Sequence, residues 1–472
     1  MSPLLRKRLS KLLWKLLVVW PFGFSSAAIG AQSPHVSSGS EMDRAFKEAM
    51  DAEDRGDVGR AEALLSTLHD EHPGIFAVDE SLGLLLVSRG NISGALPLLE
   101  AAAREQASSD AAHVNLGAAL YQLHRDELAR VEFERAVRIN PRNVSAQESL
   151  GRICMETHRP AESAKALTAA QKLKPDDPDL KLDCITALLA ADRVNEAETM
   201  LATFSGADGS ARAQSLLGEA AEKESKFQEA GMHFARAMEL EPNEENAWQL
   251  SYDLLRHWAF DAAVIEFKAA SAKFPESKRL RLGLGAALFG DEKYADAIPV
   301  YGDLLAGDPD NAMYAELLGI ACNAPLETSS PRCGALVTFA EGHPADAKAA
   351  TYAASLQLGE NENEQSEDLA RKLLQRALAT DPNLPEAQFE MGVVMQDSAD
   401  WKGSIPYLER AVKLNPNLSK AHYRLARAYW KTGRRQEGDA QMELQKTSAL
   451  KEQEDLRRRL DDIASLSVTI RP

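Results

Sequence analysis

The residues best suited to metal chemistry are His69–His72, the sequence HDEH, which places two imidazoles beside two carboxyls. Both side-chain types bind zinc and related metals. The four residues close a helical pattern just before Pro73, a place where such polar side chains are common because they interact with a helix C-terminus. No third cluster of ligand residues follows in the sequence. We therefore predict no metal site here.

Motifs of the major catalytic classes are missing from the sequence. It has no glycine-rich loop with a lysine to hold a phosphate and no His-Glu-x-x-His zinc motif. The nearest match to a serine nucleophile elbow is GNISG at residues 90–94, where the serine is displaced by one place and no strand precedes it. We predict no catalytic residues, no cofactor and no enzymatic activity.

The four cysteines fall into two groups. Cys154 and Cys184 occupy positions that the helical pattern described below assigns to the core, so we expect buried free thiols. Cys322 and Cys333 flank an extended turn with ten residues between them. An exported protein would meet an oxidising compartment, where such a pair forms a disulfide. We predict a Cys322–Cys333 disulfide if the chain is exported.

The elements that position these residues follow from an internal repeat. LGAALYQLHRDELARVEFERAVRINP (residues 116–141) and LGAALFGDEKYADAIPVYGDLLAGDP (residues 284–309) share an opening Leu-Gly, a central aromatic residue and a closing proline. These landmarks recur with a spacing of 33 or 34 residues through most of the chain. Twelve repeats start near residues 42, 76, 110, 144, 178, 211, 244, 278, 312, 347, 385 and 419.

The apolar positions within each repeat predict two helices. Counted from the start of a repeat, positions 4, 7, 8 and 11 lie on one face of a first helix, and positions 20, 24 and 27 lie on one face of a second. A short polar turn separates the helices, and a proline at position 32 ends the second. We expect the small residues at positions 8 and 20 to face each other. Neither helix can bury its apolar face alone, so each pair must stack on the next.

This arrangement resembles the tetratricopeptide repeat (TPR) family, and the resemblance covers most of the chain. It implies an all-α fold, a right-handed superhelical solenoid of about twelve helix-turn-helix units. It also implies a scaffold that binds peptide or protein segments on its concave face. The solenoid would occupy residues 42–450, and residues 451–472 would form a C-terminal capping helix with a frayed tail.

The first 30 residues differ from the repeats and predict export. They begin with five basic residues and no acid, continue with an apolar run, and end in the small-residue pattern Ala28-Ile29-Gly30. These are the features of a signal peptide, residues 1–30, followed by a flexible linker, residues 31–41. The alternative is an uncleaved anchor, although the run is short for a membrane span. We expect an exported bacterial protein, periplasmic or secreted, whose mature chain has no spanning segment.

The charge of the chain argues against nucleic-acid partners. The formal net charge is −17, and removal of the five basic residues of the signal peptide makes it −22. Such a surface repels phosphates. The end of the repeat region is the exception, because basic residues outnumber acids from Ser419 to Arg459.

Two groups of residues on the first-helix faces are candidates for partner binding. The first, which we name the basic–aromatic stripe, lies in the last repeat and consists of Lys420, Tyr423, Arg424, Arg427, Trp430 and Lys431. The second, the middle aromatic group, consists of Trp248, Tyr252, Arg256 and Phe289. Aromatic rings supply contact area and arginine suits carboxylates, so we expect an acidic peptide or a C-terminal carboxylate as the ligand of the stripe.

Each group has a structural alternative. The middle aromatic group can pack against neighbouring helices instead of facing a partner. Four acids near the C-terminus can fold back on the stripe and neutralise it: Glu443, Glu452, Glu454 and Asp455. Lys420 and Arg424 also match two positions of the carboxylate clamp that some TPR proteins use, but Glu390 stands where the clamp has asparagine.

The function that the sequence favours is a non-catalytic protein-interaction scaffold in the cell envelope. The alternative is a substrate-recruiting or regulatory TPR module that works with a separate enzyme, such as a glycosyltransferase. The identity of the partner protein separates the two hypotheses.

Overall fold

The computed structural model describes residues 41–324, 330–360, 364–449 and 451. Within these ranges the chain forms helices and no strand, as the repeat pattern predicts. The predicted signal peptide and the linker up to residue 40 lie outside the described residues, and so does the predicted C-terminal cap apart from Lys451. These boundaries stay predictions.

The helices divide into two compact units of six helix pairs each, and the first unit ends at Leu240. The helices of unit 1 are α1 (Glu41–Asp54), α2 (Val58–Glu71), α3 (Phe76–Ser88), α4 (Ile92–Glu105), α5 (Asp110–Gln122), α6 (Asp126–Ile139), α7 (Val144–Glu156), α8 (Pro160–Leu173), α9 (Pro178–Ala190), α10 (Val194–Ala202), α11 (Ala211–Lys223) and α12 (Phe227–Leu240). A 3₁₀ turn, Ala207–Gly209, lies between α10 and α11.

Unit 2 begins at Glu241. Its helices are α13 (Glu244–Arg256), α14 (Phe260–Lys273), α15 (Lys278–Gly290), α16 (Tyr294–Gly307), α17 (Ala312–Cys322), α18 (Gly334–Gly342), α19 (Ala347–Glu360), α20 (Glu364–Thr380), α21 (Pro385–Asp397), α22 (Trp401–Leu414), α23 (Ser419–Lys431) and α24 (residues 435–449). A 3₁₀ turn, Pro331–Cys333, precedes α18.

The helix pairs follow the repeat register. Each first helix begins at, or within one residue of, a repeat start given by the sequence. Within a unit, each helix packs on the next along the chain, so the second helix of one repeat also contacts the first helix of the following repeat. The predicted all-α fold of stacked helix pairs is confirmed.

The turn inside most pairs has one backbone conformation. Three residues join the two helices, and the middle one has a positive φ, as at Gly90 (79°), His124 (59°) and Ala399 (60°). Glycine adopts this left-handed conformation readily, whereas other residues pay for it. The same turn therefore recurs whether or not glycine occupies its middle position.

Close approach within a pair depends on the small residue at position 8, beside which a large side chain packs. A Cβ at Gly117 would lie 2.7 Å from the Phe133 ring, and one at Gly151 would lie 2.4 Å from Leu167. Phe133 and Leu167 are position 24 of their repeats. The large side chain of position 24 fills the space next to the glycine. That positions 8 and 20 face each other stays a prediction.

Position 4, which the pattern assigns to the apolar face, holds a buried polar side chain in several repeats. Gln147 Nε2 donates to the Pro141 carbonyl at 3.2 Å, and Gln388 Nε2 donates to the Pro382 carbonyl at 2.9 Å. His422 Nε2 lies 3.0 Å from the Pro416 carbonyl in the same way. Each bond ties a first helix to the turn six residues before it.

The cysteines form one bonded pair and two thiols. The sulfurs of Cys322 and Cys333 are joined at 1.98 Å and link the end of α17 to the second 3₁₀ turn. Cys154 and Cys184 are buried free thiols, as expected. Burial raises the pKa of the Cys154 thiol to about 12, so its nucleophilic thiolate is suppressed.

Candidate partner-binding surface

Helix α23 separates its apolar and basic residues onto two faces. Ala421, Leu425 and Ala428 are at most 1% exposed and pack toward the core of unit 2. The opposite face carries the basic–aromatic stripe, because its members recur at the helical spacing of three or four residues. The sequence thus brings all six stripe residues onto one helix surface, as predicted.

Aromatic rings accompany three of the four cations of the stripe. The Arg427 guanidinium carbon lies 5.4 Å from the centre of the Trp401 ring, and Lys431 Nζ lies 5.7 Å from it. Lys420 Nζ lies 5.9 Å from the centre of the Phe389 ring. Such cation–π contacts are attractive but leave the formal charge uncompensated. They explain how like charges can share one face of a helix.

Carboxylates neutralise little of the stripe. Arg424 is 3.7 Å from the Asp397 carboxylate and donates a 3.5 Å hydrogen bond to Gln396. Among the described residues, no carboxylate forms an ion pair with Lys420, Arg427 or Lys431. The stripe therefore presents positive charge to solvent on an otherwise acidic protein.

Two aromatic side chains of the stripe are open to solvent. Tyr423 is 44% exposed and Trp430 is 40% exposed. Trp430 Nε1 donates to the Asp439 carboxylate at 3.1 Å, and the indole lies against Gly438 of α24. This orientation holds the ring in place while leaving part of its face available.

Glu390 of α21 occupies the place of the clamp asparagine and changes the local charge. Its carboxyl accepts a 3.0 Å hydrogen bond from Ser355. Burial raises the pKa of Glu390, while Lys420 and Arg424 oppose that shift through their charges. A carboxyl here competes with any carboxylate ligand for these two cations, so a complete carboxylate clamp is not formed.

Of the four acids proposed to fold back on the stripe, the structure describes one, and it does not contact the stripe. Glu443 pairs with Lys446 of its own helix at 2.7 Å. Glu452, Glu454 and Asp455 lie outside the described residues. The contacts that the structure does give to the stripe come from α21 and α22 of the preceding repeat, and from Asp439 of α24.

The middle aromatic group is largely a packing cluster. Trp248 is 5% exposed, stacks on Tyr252 at 5.0 Å and contacts Phe267 at 5.7 Å. Phe289 is 6% exposed and meets Tyr294 at 4.9 Å. The prediction that Trp248 and Phe289 bind a partner is corrected, because both side chains are almost fully buried.

The remaining members of that group are more accessible. Tyr252 is half-buried and Arg256 is exposed, with its guanidinium carbon 5.9 Å from the centre of the Tyr252 ring. Trp248 is covered by Arg279, which lies 5.5 Å from the centre of its ring and is held by Glu244 at 3.1 Å and by Glu245 at 3.0 Å. Tyr252 and Arg256 stay predictions as contact residues.

Sequence reasoning missed the residues that support the stripe from other helices. Phe389 and Trp401 belong to the preceding repeat, and nothing in their own helix pattern connects them to α23. Trp401 opens its second helix, and an aromatic residue at that point next to a basic first helix is the one signal that could have revealed the contact.

The HDEH segment is divided between two roles. His69 Nδ1 lies 2.6 Å from Oδ1 of the fully buried Asp79 of the next helix. His72 follows the last residue of α2, and its backbone N–H bonds to the Leu68 carbonyl. The histidines therefore face different surroundings and do not act together.

Across the described ranges, no helix combines the length and apolar character needed to cross a membrane. The search does not extend to residues 1–40, so the predicted signal peptide and its anchor alternative are both unaffected.

Comparisons with known families give a consistent result. Models described as tetratricopeptide repeat match at residues 80–141, 127–178, 154–220, 249–312 and 389–438. Together these matches span more than half of the chain. They include the whole of α23 and all six residues of the stripe. A comparison with curated proteins finds no match.

Solved structures of several repeat proteins are similar. YrrB, described as a TPR protein with an unusual peptide-binding site, is 19% identical over 39% of this chain and 94% of its own, with a TM-score of 0.36. The pilF protein of Pseudomonas aeruginosa is 18% identical over 43% of this chain and 94% of its own, with a TM-score of 0.35. The APC/C hetero-tetramer Cut9–Hcn1 gives 14% identity, 87% and 88% coverage, and a TM-score of 0.35. At these values the similarities say nothing about partners.

Proposed function

Because the chain belongs to the tetratricopeptide repeat family, whose repeats form protein-interaction scaffolds, we propose that it binds an acidic segment of a partner protein on the basic–aromatic stripe. The protein acts without catalysis of its own, by holding that segment in place. The observation that carries the proposal is a face of α23 on which three of four cations, Lys420, Arg427 and Lys431, form no ion pair with a carboxylate of the described residues.

The chemistry of the stripe suits a carboxylate-bearing peptide. Arg427 can offer parallel N–H donors to a carboxylate, and Lys420 and Lys431 add charge at either end of the helix. Tyr423 and Trp430 provide exposed rings on which apolar side chains of the peptide can rest. Charged groups would steer the encounter, and the rings would slow dissociation.

We place this activity in the cell envelope of a bacterium. The basic and apolar start of the chain supports export, and the bonded pair Cys322–Cys333 suits an oxidising compartment. N-terminal sequencing of the protein from its host tests this directly. A mature start near Ala31 supports export with cleavage, and recovery of Met1 in a membrane fraction supports the anchor.

An array of acidic peptides tests the binding proposal. Each peptide is presented with a free and with an amidated C-terminus, so that side-chain carboxylates and a terminal carboxylate are distinguished. The variant Arg424→Glu with Arg427→Glu should lose binding while retaining the helicity and melting temperature of the unmodified chain.

The matched control is Arg410→Glu with Arg435→Glu, which makes the same charge change at exposed positions of α22 and α24. It should bind like the unmodified chain. If both double variants lose binding equally, the array measures net charge alone and the stripe is not the site. If the stripe variant unfolds, its cations are structural, and the accessible residues Tyr252 and Arg256 become the next candidates.

A further inference from the structure

Unit 1 contains an open cavity of about 620 Å³ beside the end of α10, which we name the α10 cavity. The other second helices of unit 1 have 14 residues, whereas α10 has nine. Five helical residues correspond to roughly 7–8 Å of length. The shortened helix leaves part of α11 and α12 uncovered, and the segment 204–208 lines the opening instead.

The buried part of the cavity lining is apolar. Leu201 and Ala220 are 2% exposed, and Ala221 is 5% exposed. Leu217 and Phe204 are half-buried and extend the same surface. Such a floor is suited to a hydrocarbon stem and gives a charged group nothing to bind.

The accessible part of the lining is predominantly acidic. Glu198, Asp208 and Glu229 contribute carboxyl groups, and Lys226 is the one lysine or arginine among the lining residues. Lys226 is already engaged in an ion pair with Glu224. The cavity therefore joins an apolar floor to an excess of negative charge.

Glu198, which lines the cavity, is in direct contact with a second carboxyl group behind it. Glu198 and Glu224 share a hydrogen bond, and the pKa of Glu198 is raised, first by burial and then by Glu224. Two neighbouring carboxylates cannot both ionise without repulsion. Because Lys226 pairs with Glu224, Glu198 and Glu229 are the carboxyls left to a ligand, and a cation beside them lets Glu198 ionise. The cavity therefore favours a positively charged group.

Hydrogen bonds hold the cavity in shape. The Gln214 side chain, 4% exposed, donates from Nε2 to the Ala207 carbonyl at 3.1 Å and accepts from His233 Nδ1 at 2.8 Å. His233 Nε2 is left 3.9 Å from the Glu229 carboxylate. These bonds connect the rim, α11 and α12, so a ligand would meet a site that needs little reorganisation.

We propose that the α10 cavity binds an arginine side chain presented by a segment of a partner protein. The guanidinium lies against the carboxylates of Glu198 and Glu229, and its methylene stem lies on the apolar floor. Arginine fits because its planar group binds carboxylates through paired hydrogen bonds while its stem covers apolar surface. The site is in unit 1 and does not depend on the stripe, which is in unit 2.

The test uses the full chain and a capped pentapeptide with one arginine between alanines. Binding is followed by saturation-transfer NMR on the peptide signals, together with a titration. The variant Glu198→Gln with Glu229→Gln should weaken binding by about tenfold or more, because two charged hydrogen-bond acceptors are lost. The control, Glu196→Gln with Glu239→Gln, makes the same charge change on the same two helices outside the cavity and should bind normally.

Two further measurements test the shape of the cavity and the contribution of the arginine charge. Ala202→Trp should block the cavity and abolish the saturation-transfer signal, while circular dichroism shows an unchanged helix content. A peptide with norleucine in place of arginine should bind at least about tenfold more weakly, since it keeps the stem and loses the charge.

The proposal is overturned if both glutamine double variants bind the arginine peptide equally. It also fails if the norleucine peptide binds as well as the arginine peptide, or if Ala202→Trp leaves the signal intact. Propylguanidine, a free guanidine with the same three-carbon stem and the same single positive charge, tests the source. If propylguanidine binds more tightly than the peptide, the cavity serves a small molecule and the partner-segment proposal is wrong.

Discussion

Tyr301 is the largest of the fully buried side chains in the described residues, and its hydroxyl has no hydrogen-bond partner among them. Burial also raises the pKa of this phenol, so it stays neutral. A hydroxyl without a partner costs free energy that a plain ring would not. We predict that Tyr301→Phe raises the free energy of unfolding by about 1 kcal/mol, measured by urea denaturation.

The companion variant is Gly285→Ala, which adds a Cβ only 2.4 Å from the Tyr301 ring. It should lower the free energy of unfolding by about 1–3 kcal/mol, because the ring has no room to move away. If Tyr301→Phe destabilises the protein instead, the hydroxyl has a partner and the described packing of this ring is wrong.

For single residues, the sequence predicts which face of a helix a side chain lies on but not how deeply it is buried. Trp248 and Tyr252 lie four residues apart on one face, yet the first is 5% exposed and the second is half-buried. The difference comes from Arg279 of the next repeat, whose guanidinium covers Trp248 at 5.5 Å. Helical periodicity holds no information about which neighbouring side chain covers a ring.

Among the elements, first helices are tied to the preceding turns by the buried polar side chain at position 4. Gln147 is 5% exposed and satisfies the Pro141 carbonyl. We predict that Gln147→Leu lowers the free energy of unfolding by about 1–3 kcal/mol, since the carbonyl loses its partner in a place that water reaches poorly. Thermal and urea denaturation both measure this.

The control for Gln147→Leu is Gln228→Leu, the same substitution at an exposed position of α12. Its effect should stay within about 0.5 kcal/mol. Equal effects of the two substitutions would mean that the hydrogen bond to Pro141 contributes nothing to stability.

The pair Cys322–Cys333 closes the extended turn between α17 and α18, with a sequence separation of 11. In the chain-entropy account, closing a loop of this length stabilises the folded state by about 3 kcal/mol. We predict that Cys322→Ser with Cys333→Ser lowers the melting temperature, and that reductant lowers the melting temperature of the unmodified chain to the same value. A reductant-insensitive unmodified chain, or two free thiols in protein taken from the envelope, would contradict the disulfide.

The helices could be predicted from the sequence because the same two-helix pattern occurs in all twelve repeats. The side chain that packs closest to the small residue of a pair could not. A Cβ at Gly117 or Gly151 would lie closest to the side chain of position 24, because the offset between packed helices depends on side-chain volume as well as on register. The shortening of α10 is a similar case, since the residues Thr203–Ser210 keep the length of the repeat and hide the loss of helix.

For the whole molecule, charge and its distribution separate the two proposed sites. The formal net charge of the chain is −17. The lining of the α10 cavity is negatively charged like the chain as a whole, whereas the basic–aromatic stripe is positively charged. The two sites therefore select for opposite partner charges. Binding at each should weaken as salt is raised, because screening shortens the range of both attractions.

The central claim is that the basic–aromatic stripe captures an acidic segment of a partner, and photocrosslinking in the native host tests it most directly. A benzophenone side chain is placed at Tyr423, in the stripe, and in a second strain at Leu128, which is 54% exposed on unit 1. Mass spectrometry then identifies the crosslinked peptide. We predict a product at position 423 that contains an acidic or C-terminal segment and disappears with Arg424→Glu and Arg427→Glu, and no such product at position 128. A product that survives those substitutions, or an acidic segment captured at position 128 and not at 423, would contradict the account.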